Sequence, residues 1–366
     1  MSNPVPMDWM VLDPRDVLDL VQHELPLDDS EARYVAASRA PSTLRGYRHD
    51  WIEWCDWSAN RGHAPLPARP DVLAAWIAAI ADAGAKAGTI RRKLSAVRYA
   101  HKVAGLDDPT GSARVSMVWD GIRRSIARED SARSRVDQAP PLMPPMLWDV
   151  VDACPTSTAW TTRDNEPSLA GARDRVLLLV GFFGALRRSE LARLRVEDLH
   201  DDARGLVVEL PWSKTNQYGD NKHDLVALPR TSNPAYCPVT AMAQWRELTG
   251  ITEGPLLRRV TKGNRAGTAL SESGVNLVVQ EAVRRSGRPT TGVPVDVDAP
   301  GQPAPRRRVP YSAHSLRAGF VTYAHSRGAT PSQIAHQTRH ASLASVRGYT
   351  RIASVWDDNA VTALGL

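Results

Sequence analysis

Five short stretches carry side chains that could act on a phosphodiester. Arg187-Arg-Ser-Glu190 follows the longest apolar run of the chain, Val176 to Leu186. A cation there is costly unless it faces a cleft or a partner, and a local acid such as Glu190 or Asp198 would satisfy it equally well. Lys214 sits in a polar stretch, where a solvated turn lysine is the bland alternative. His314-Ser-Leu-Arg317 puts an imidazole and a guanidinium three residues apart, on one face of a helix. Both can donate to one phosphate, arginine with two parallel bonds. His336-Gln-Thr-Arg-His340 has zinc-ligand spacing, but Gln337 stands where a metalloprotease needs an acid. No cysteine or carboxylate cluster completes the set, so neither metal nor cofactor is expected. Tyr349 alone reads as an ordinary half-buried tyrosine.

Together these residues fit metal-free phosphodiester transesterification. A phenolic oxygen attacks phosphorus while fixed cations hold the charge that builds on the non-bridging oxygens. A tyrosine with a free pKa of about 10 needs cationic neighbours and a proton acceptor to react near neutrality. The leaving 5′ oxygen needs a proton, which a lysine on a mobile hairpin can supply. The absence of an acidic metal cluster argues against two-metal nuclease chemistry.

The elements that must position these groups are mostly helical. Leu44, Tyr47, Trp51 and Trp54 recur at helical spacing from about Thr43, with a stop near Asn60-Arg61-Gly62. A second helix follows Pro70-Asp71 and ends near Asp82-Ala83-Gly84. A third takes Thr89 as its N-cap and runs to Lys102, and a fourth spans about Val115 to Ile126. No strand-like alternation precedes residue 130. Beyond it, Leu206 to Trp212 and Asp224 to Leu228 read as two strands joined by the loop Ser213 to His223. Arg128 to Pro145 reads as an interdomain linker. Residues 286–311 hold six prolines and read as a long surface loop.

The third helix carries six cations (Lys86, Arg91, Arg92, Lys93, Arg98 and Lys102) and no acid, so they should point largely outward. Alone it would be an ordinary solvated face. Arg45 and Arg48, near the start of the first helix, add a second basic helix start, and the two could straddle one DNA groove.

Bulk properties are compatible with this. The 366 residues suit two domains, and 46 Lys+Arg against 40 Asp+Glu leave +6, so a polyanion site requires clustered charge. Cys55, Cys154 and Cys237 form neither zinc spacing nor a disulfide framework, which suits a reducing cytosol. Val176 to Leu186 is 11 residues, short of the roughly 20 a membrane span requires. Residues 1–15 lack the pattern of a signal peptide. A cytoplasmic, membrane-free protein is expected.

The order of these motifs resembles the tyrosine recombinase (phage integrase) family, most of all its Cre-type branch. Gly184-Ala-Leu-Arg187-Arg-Ser-Glu190 is similar to the family's first-arginine box, which implies Arg187 as the first catalytic arginine and Glu190 as its supporting acid. Ser213-Lys214-Thr215 matches the catalytic lysine and His314-Ser-Leu-Arg317 the His-x-x-Arg box. His340 falls at the family's His/Trp position and Tyr349 at the nucleophile. Thr338-Arg339 departs from the pattern, in which Leu-Gly or Gly-Gly is common. Thr43-Leu-Arg45 and Thr89-Ile-Arg91-Arg92 match DNA-facing helices. The resemblance therefore implies DNA contacts from Thr43, Arg45, Arg48, Thr89, Arg91, Arg92, Lys93 and Arg98.

The implied fold is mainly α. An N-terminal arm (1–30) and a helical core-binding domain (31–128) precede a linker (129–142). A mostly helical catalytic domain (143–366) follows, with a small antiparallel hairpin or sheet. Two domains would clamp a duplex with inverted half-sites, and a homo-tetramer on two such sites would exchange strands through a 3′-phosphotyrosyl link and a four-way junction. The apolar stripe Ile352, Val355, Trp356, Ala360, Ala363 and Leu364 would by itself pack on its own domain, whereas the resemblance implies docking in a neighbouring subunit. Two other outcomes stay open: a type IB topoisomerase-like or resolvase enzyme with the same chemistry, and a catalytically idle DNA-binding protein.

Overall fold

The computed structural model describes residues 15, 34, 39–129, 139–158, 166–211, 224–287 and 310–339. Its contacts divide the chain into two compact units, Met1–Asp137 and Gln138–Leu366.

The first unit contains α1 (Pro41–Ala59), α2 (Pro70–Asp82), α3 (Ala87–Val103) and α4 (Ala113–Glu129). The apolar stripes meet as their spacing requires: α1 packs on α3 and α2 on α4. Trp51, Trp54, Leu73, Trp76, Ile77, Ile90 and Val97 form the core. The Trp54 and Trp76 rings lie 5.1 Å apart. The first two helices stop where expected, with Gly62 (φ 70°) and Gly84 (φ 92°) in the left-handed region that glycine adopts without a Cβ clash. Thr89 is not the N-cap of the third helix. That helix starts at Ala87 behind Lys86, which makes no side-chain cap, and Thr89 lies in the first turn. Buried His101 accepts from the Ala68 amide at 2.8 Å and donates to Val97 O at 2.8 Å, and burial lowers its pKa. Both ring nitrogens are thus committed to the neutral form.

The second unit contains α5 (Met146–Asp152), α6 (Leu169–Phe183), α7 (Arg188–Arg193), β1 (Leu199–Asp202), β2 (Gly205–Leu210), β3 (Asp224–Pro229), α8 (Pro238–Thr249), β4 (Arg258–Val260), β5 (Ala266–Ala269), α9 (Glu272–Arg285), α10 (Ala313–Ser326) and α11 (Pro331–Thr338). The fold is mainly helical with small antiparallel sheets, as expected. Helix α6 is apolar nearly all round because α8, α9 and α10 all pack on it. Gly181 lets α10 approach: a Cβ there would lie 2.7 Å from Leu316 Cδ1.

The sheet exceeds the predicted hairpin. β2 pairs with β3 in the register Val208↔Val226, and β1 adds a third strand with Leu199↔Val208. A second hairpin pairs β4 with β5. Both additions are only three or four residues long per strand and lack large apolar residues in alternation (Leu-His-Asp-Asp; Arg-Arg-Val with Ala-Gly-Thr-Ala), so no period of two betrays them. The predicted arm (apart from Arg15), most of the linker, nearly all of the Pro-rich loop and the C-terminal stripe lie outside the described residues. No helix among the described residues is long and apolar enough to cross a membrane.

Candidate active site

Helix α6 ends at Phe183 with Gly184 as its C-cap, and Ala185 turns the chain with φ 46°. That left-handed residue redirects the backbone so that Arg187 becomes the N-cap of α7. Glu190, three residues on, accepts the Arg187 amide on Oε2 at 2.8 Å and the Arg187 guanidinium on Oε1 at 2.7 Å. Sequence spacing alone allowed Glu190 or Asp198 as the partner. The structure selects Glu190, while Asp198 accepts the Arg195 amide. Glu190 is buried. Burial pushes its carboxyl up, yet Arg339, the Arg187 amide and the Arg187 guanidinium outweigh it and hold the pKa below the ordinary value.

Arg317 lies on α10 and is 1% exposed. Its Nη1 donates to Ala185 O at 2.6 Å and its Nη2 to Thr338 O at 2.5 Å. The His-x-x-Arg box is thereby fastened to the turn that presents Arg187, from 132 residues away in the chain. His314 shares the helix but is exposed, so imidazole and guanidinium do not share one environment. Helix α10 starts behind Ser312, whose amide donates to Ser315 Oγ at 3.0 Å, and the Ala313 amide donates to Asn276 Oδ1 at 3.1 Å.

Arg339 is the participant that sequence reasoning passed over. Its side chain, 6% exposed, reaches Glu190 Oε2 with Nη2 at 2.6 Å. The departure from a glycine-bearing pattern at this position was visible, but not where the side chain goes. Lys214, His340 and Tyr349 lie outside the described residues. Among the described residues no group of three or more His, Cys, Asp or Glu is placed to hold a metal ion.

On the first unit, Arg45, Arg48, Arg91, Arg92 and Arg98 are exposed, and Thr43 and Thr89 half-buried. Thr43, Gly46, Arg91, Arg92 and Ser95 line a shallow recess between the starts of α1 and α3. Arg98 is partly engaged by Asp108 at 2.7 Å and Thr110 at 2.8 Å. Lys93 corrects the expectation of outward cations. It is 5% exposed, its ammonium is bonded to Glu53, and Asp50 lies 3.7 Å away. Those acids come from α1, some 40 residues earlier, so the composition of α3 alone could not reveal them.

Comparison with known proteins agrees with this architecture. Residues 33–105 match the phage integrase N-terminal SAM-like domain. The chain is 30% identical over 335 residues to the integrase/recombinase xerD homolog of Selenomonas ruminantium, covering 91% of this chain and 88% of that one. It is 23% identical over 274 residues to the recombinase cre of Escherichia phage P1, covering 74% and 71% of the two chains. Among solved structures, the XerH site-specific recombinase bound to palindromic difH substrate in a post-cleavage complex has the same fold. There the TM-score is 0.55 at 14% identity, over 94% of each chain. The extent of the 30% match, joined to an arginine box held against a His-x-x-Arg helix, settles the family: the chain is a tyrosine site-specific recombinase.

Proposed function

We propose that this recombinase cuts duplex DNA with Tyr349 as the nucleophile. The phenolic oxygen forms a bond to the scissile phosphorus as the bond to the 5′ oxygen breaks, and the phenol proton passes to a nearby acceptor. Lys214 or His314 returns a proton to the leaving 5′ oxygen. A 5′-hydroxyl of the partner strand then attacks the phosphotyrosine and releases the enzyme. Each step exchanges one phosphodiester for another, so neither ATP nor a metal enters the balance.

Arg187 and Arg317 hold the non-bridging oxygens, Glu190 fixes Arg187, and His340 borders the phosphate. Thr43, Arg45, Arg48, Thr89, Arg91, Arg92 and Arg98 contact the duplex from the first unit. Four copies on two duplexes with inverted half-sites, of a cytoplasmic protein encoded by a bacterium, phage or plasmid, complete the reading. The observation that carries it is the Arg317–Ala185 bond, which draws two distant arginine boxes into one locus.

The test begins with duplexes selected from a random pool by the purified protein, then rebuilt with a nick beside the scissile phosphate. The wild type should give a covalent protein–DNA band on a denaturing gel and Tyr349→Phe none. A band from Tyr349→Phe, or no band from the wild type, overturns the assignment.

A further inference from the structure

Arg339 occupies a backbone position that disfavours it. It caps α11 with φ 55° and ψ 45°, where a residue with a Cβ costs roughly 1–2 kcal/mol relative to glycine. Its guanidinium is also nearly removed from water, and burial is the main influence lowering its pKa, with neighbouring Arg187 adding to it and Glu190 opposing it. Strain of this kind persists where the side chain has a use.

The contacts indicate that use. Glu190 holds Arg187 on Oε1 and Arg339 on Oε2, so one buried carboxylate bridges two guanidiniums. Arg339 Nη1 also reaches toward Gln337 O at 3.3 Å, and Nε lies 4.0 Å from Asp224 Oδ2. Two guanidiniums (Arg187, Arg339) thus meet two carboxylates (Glu190, Asp224), and Arg317, bonded to the carbonyls of Ala185 and Thr338, adds a third cation beside them. Without Arg339 the count is two against two, and Glu190 cancels the cation it positions. A pocket for a phosphate that gains charge in the transition state needs a surplus of fixed positive charge. Arg339 Nε and Asp224 Oδ2, both buried, lack hydrogen-bond partners among the described residues, so the cluster is held by charge more than by saturated hydrogen bonding.

We propose that Arg339 is a positioning residue for strand cleavage: by pairing with Glu190 it leaves Arg187 both fixed in place and electrically unspent toward the scissile phosphate. This rests on the recombinase reading above, with Arg187 as a phosphate ligand.

The test is single-turnover formation of the covalent adduct on the nicked duplex at saturating protein. Arg339→Gly relieves the left-handed strain and should fold. Removing one direct transition-state donor costs about 10²–10³ in rate, and Arg339, acting through Glu190, should cost about tenfold with duplex affinity unchanged. Two further readouts separate charge from mere support. Millimolar guanidinium should restore part of the Arg339→Gly rate, while equal urea, its neutral shape-mimic, and equal sodium chloride should not. Glu190→Gln added to Arg339→Gly should cleave faster than Arg339→Gly alone, because the uncancelled acid is gone.

A single variant that cleaves within twofold of the wild type overturns the proposal. So does a slow variant that neither guanidinium nor Glu190→Gln improves. If Arg339→Gly loses its thermal transition, Arg339→Lys decides: it keeps the charge, so a rate near that of the wild type supports the proposal and a hundredfold loss overturns it. A wild type that forms no Tyr349 adduct removes the recombinase reading and this proposal together, whereas an intact wild-type adduct with an unaffected Arg339→Gly removes this proposal alone.

Discussion

The buried guanidinium of Arg317 donates to the carbonyl oxygen of Ala185 at 2.6 Å, in the turn that ends α6 and leads into Arg187. It is one of three such reaches. Gln337 Nε2 donates to Phe183 O at 2.8 Å, and Arg339 Nη1 approaches Gly184 O at 3.5 Å. The last carbonyls of a helix lack partners within the helix and carry its negative dipole end. Here side chains from α10 and the end of α11 cap them. The capping that completes the α6 terminus also assembles the site, so stability and geometry are coupled there.

Arg317→Ala should therefore do more than remove a charge. It takes the guanidinium donor away from two carbonyls, at about 1–3 kcal/mol each, and opens a cavity beside them. Urea denaturation should show the variant several kcal/mol less stable than the wild type, with Arg317→Lys intermediate because one ammonium can keep one of the two bonds. Equal midpoints for the wild type and Arg317→Ala would mean that the capping adds little. Loss of cleavage in this variant is interpretable only beside that measurement.

Glu190 makes a prediction in pH. Its folded pKa is depressed from the ordinary 4.5, so its contribution to stability is fully present above that value and lost as pH falls through the lower folded value. The stability gap between wild type and Glu190→Gln should be widest near neutrality and close in acid. Chemical denaturation between about pH 7 and pH 3 measures it, and a gap independent of pH would contradict a charged Glu190 held by two guanidiniums.

Close approach makes a third prediction. A Cβ on Gly319 of α10 would lie 2.0 Å from Leu142 O, a backbone atom that can yield only by moving the chain. At Gly181 the nearest obstacle is the tip of the Leu316 side chain at 2.7 Å. Alanine gains up to about 1 kcal/mol of helix propensity at either site. Overpacking against backbone should exceed that gain, at about 1–3 kcal/mol or more, whereas rotation of Leu316 can absorb part of the cost. Thermal melts should rank Gly319→Ala well below Gly181→Ala, and the reverse order would refute the argument.

What the sequence made legible follows from range. Arg187 and Glu190 are three residues apart and make one helix start, so local spacing made them a candidate pair, while the choice of Glu190 over Asp198 came from the fold. Arg317 was legible as a residue type in a motif, but its bonds to Ala185 and Thr338 are tertiary, and its burial beside an exposed His314 was not foreseen. Arg339 was visible only as a break in a pattern, because the direction of one side chain in the left-handed region depends on what surrounds it. The strands β1, β4 and β5 escaped because three or four residues without large apolar side chains in alternation carry no period.

Lys93 makes the same point and yields the sharpest separation of roles. It shares α3 with Arg91, yet its ammonium is buried against Glu53 and near Asp50, whose own carboxylate is 0% exposed. Burial holds the Asp50 pKa above its ordinary value even with Arg92 and Lys93 beside it, so the acid is poorly compensated already. Deleting one partner of a buried pair costs about 3–5 kcal/mol because the other charge is stranded. Lys93→Ala should therefore lower the denaturation midpoint sharply while leaving the slope of log affinity against log salt unchanged for the fraction that stays folded. Arg91 is exposed, and on the reading that it meets phosphate, Arg91→Ala should leave the midpoint unchanged and reduce the salt slope by about one contact. Denaturation curves paired with duplex titrations at several salt concentrations make the comparison. A stable Lys93→Ala with a shallower salt slope would return Lys93 to the DNA-facing set and show that its pairing with Glu53 opens when DNA binds.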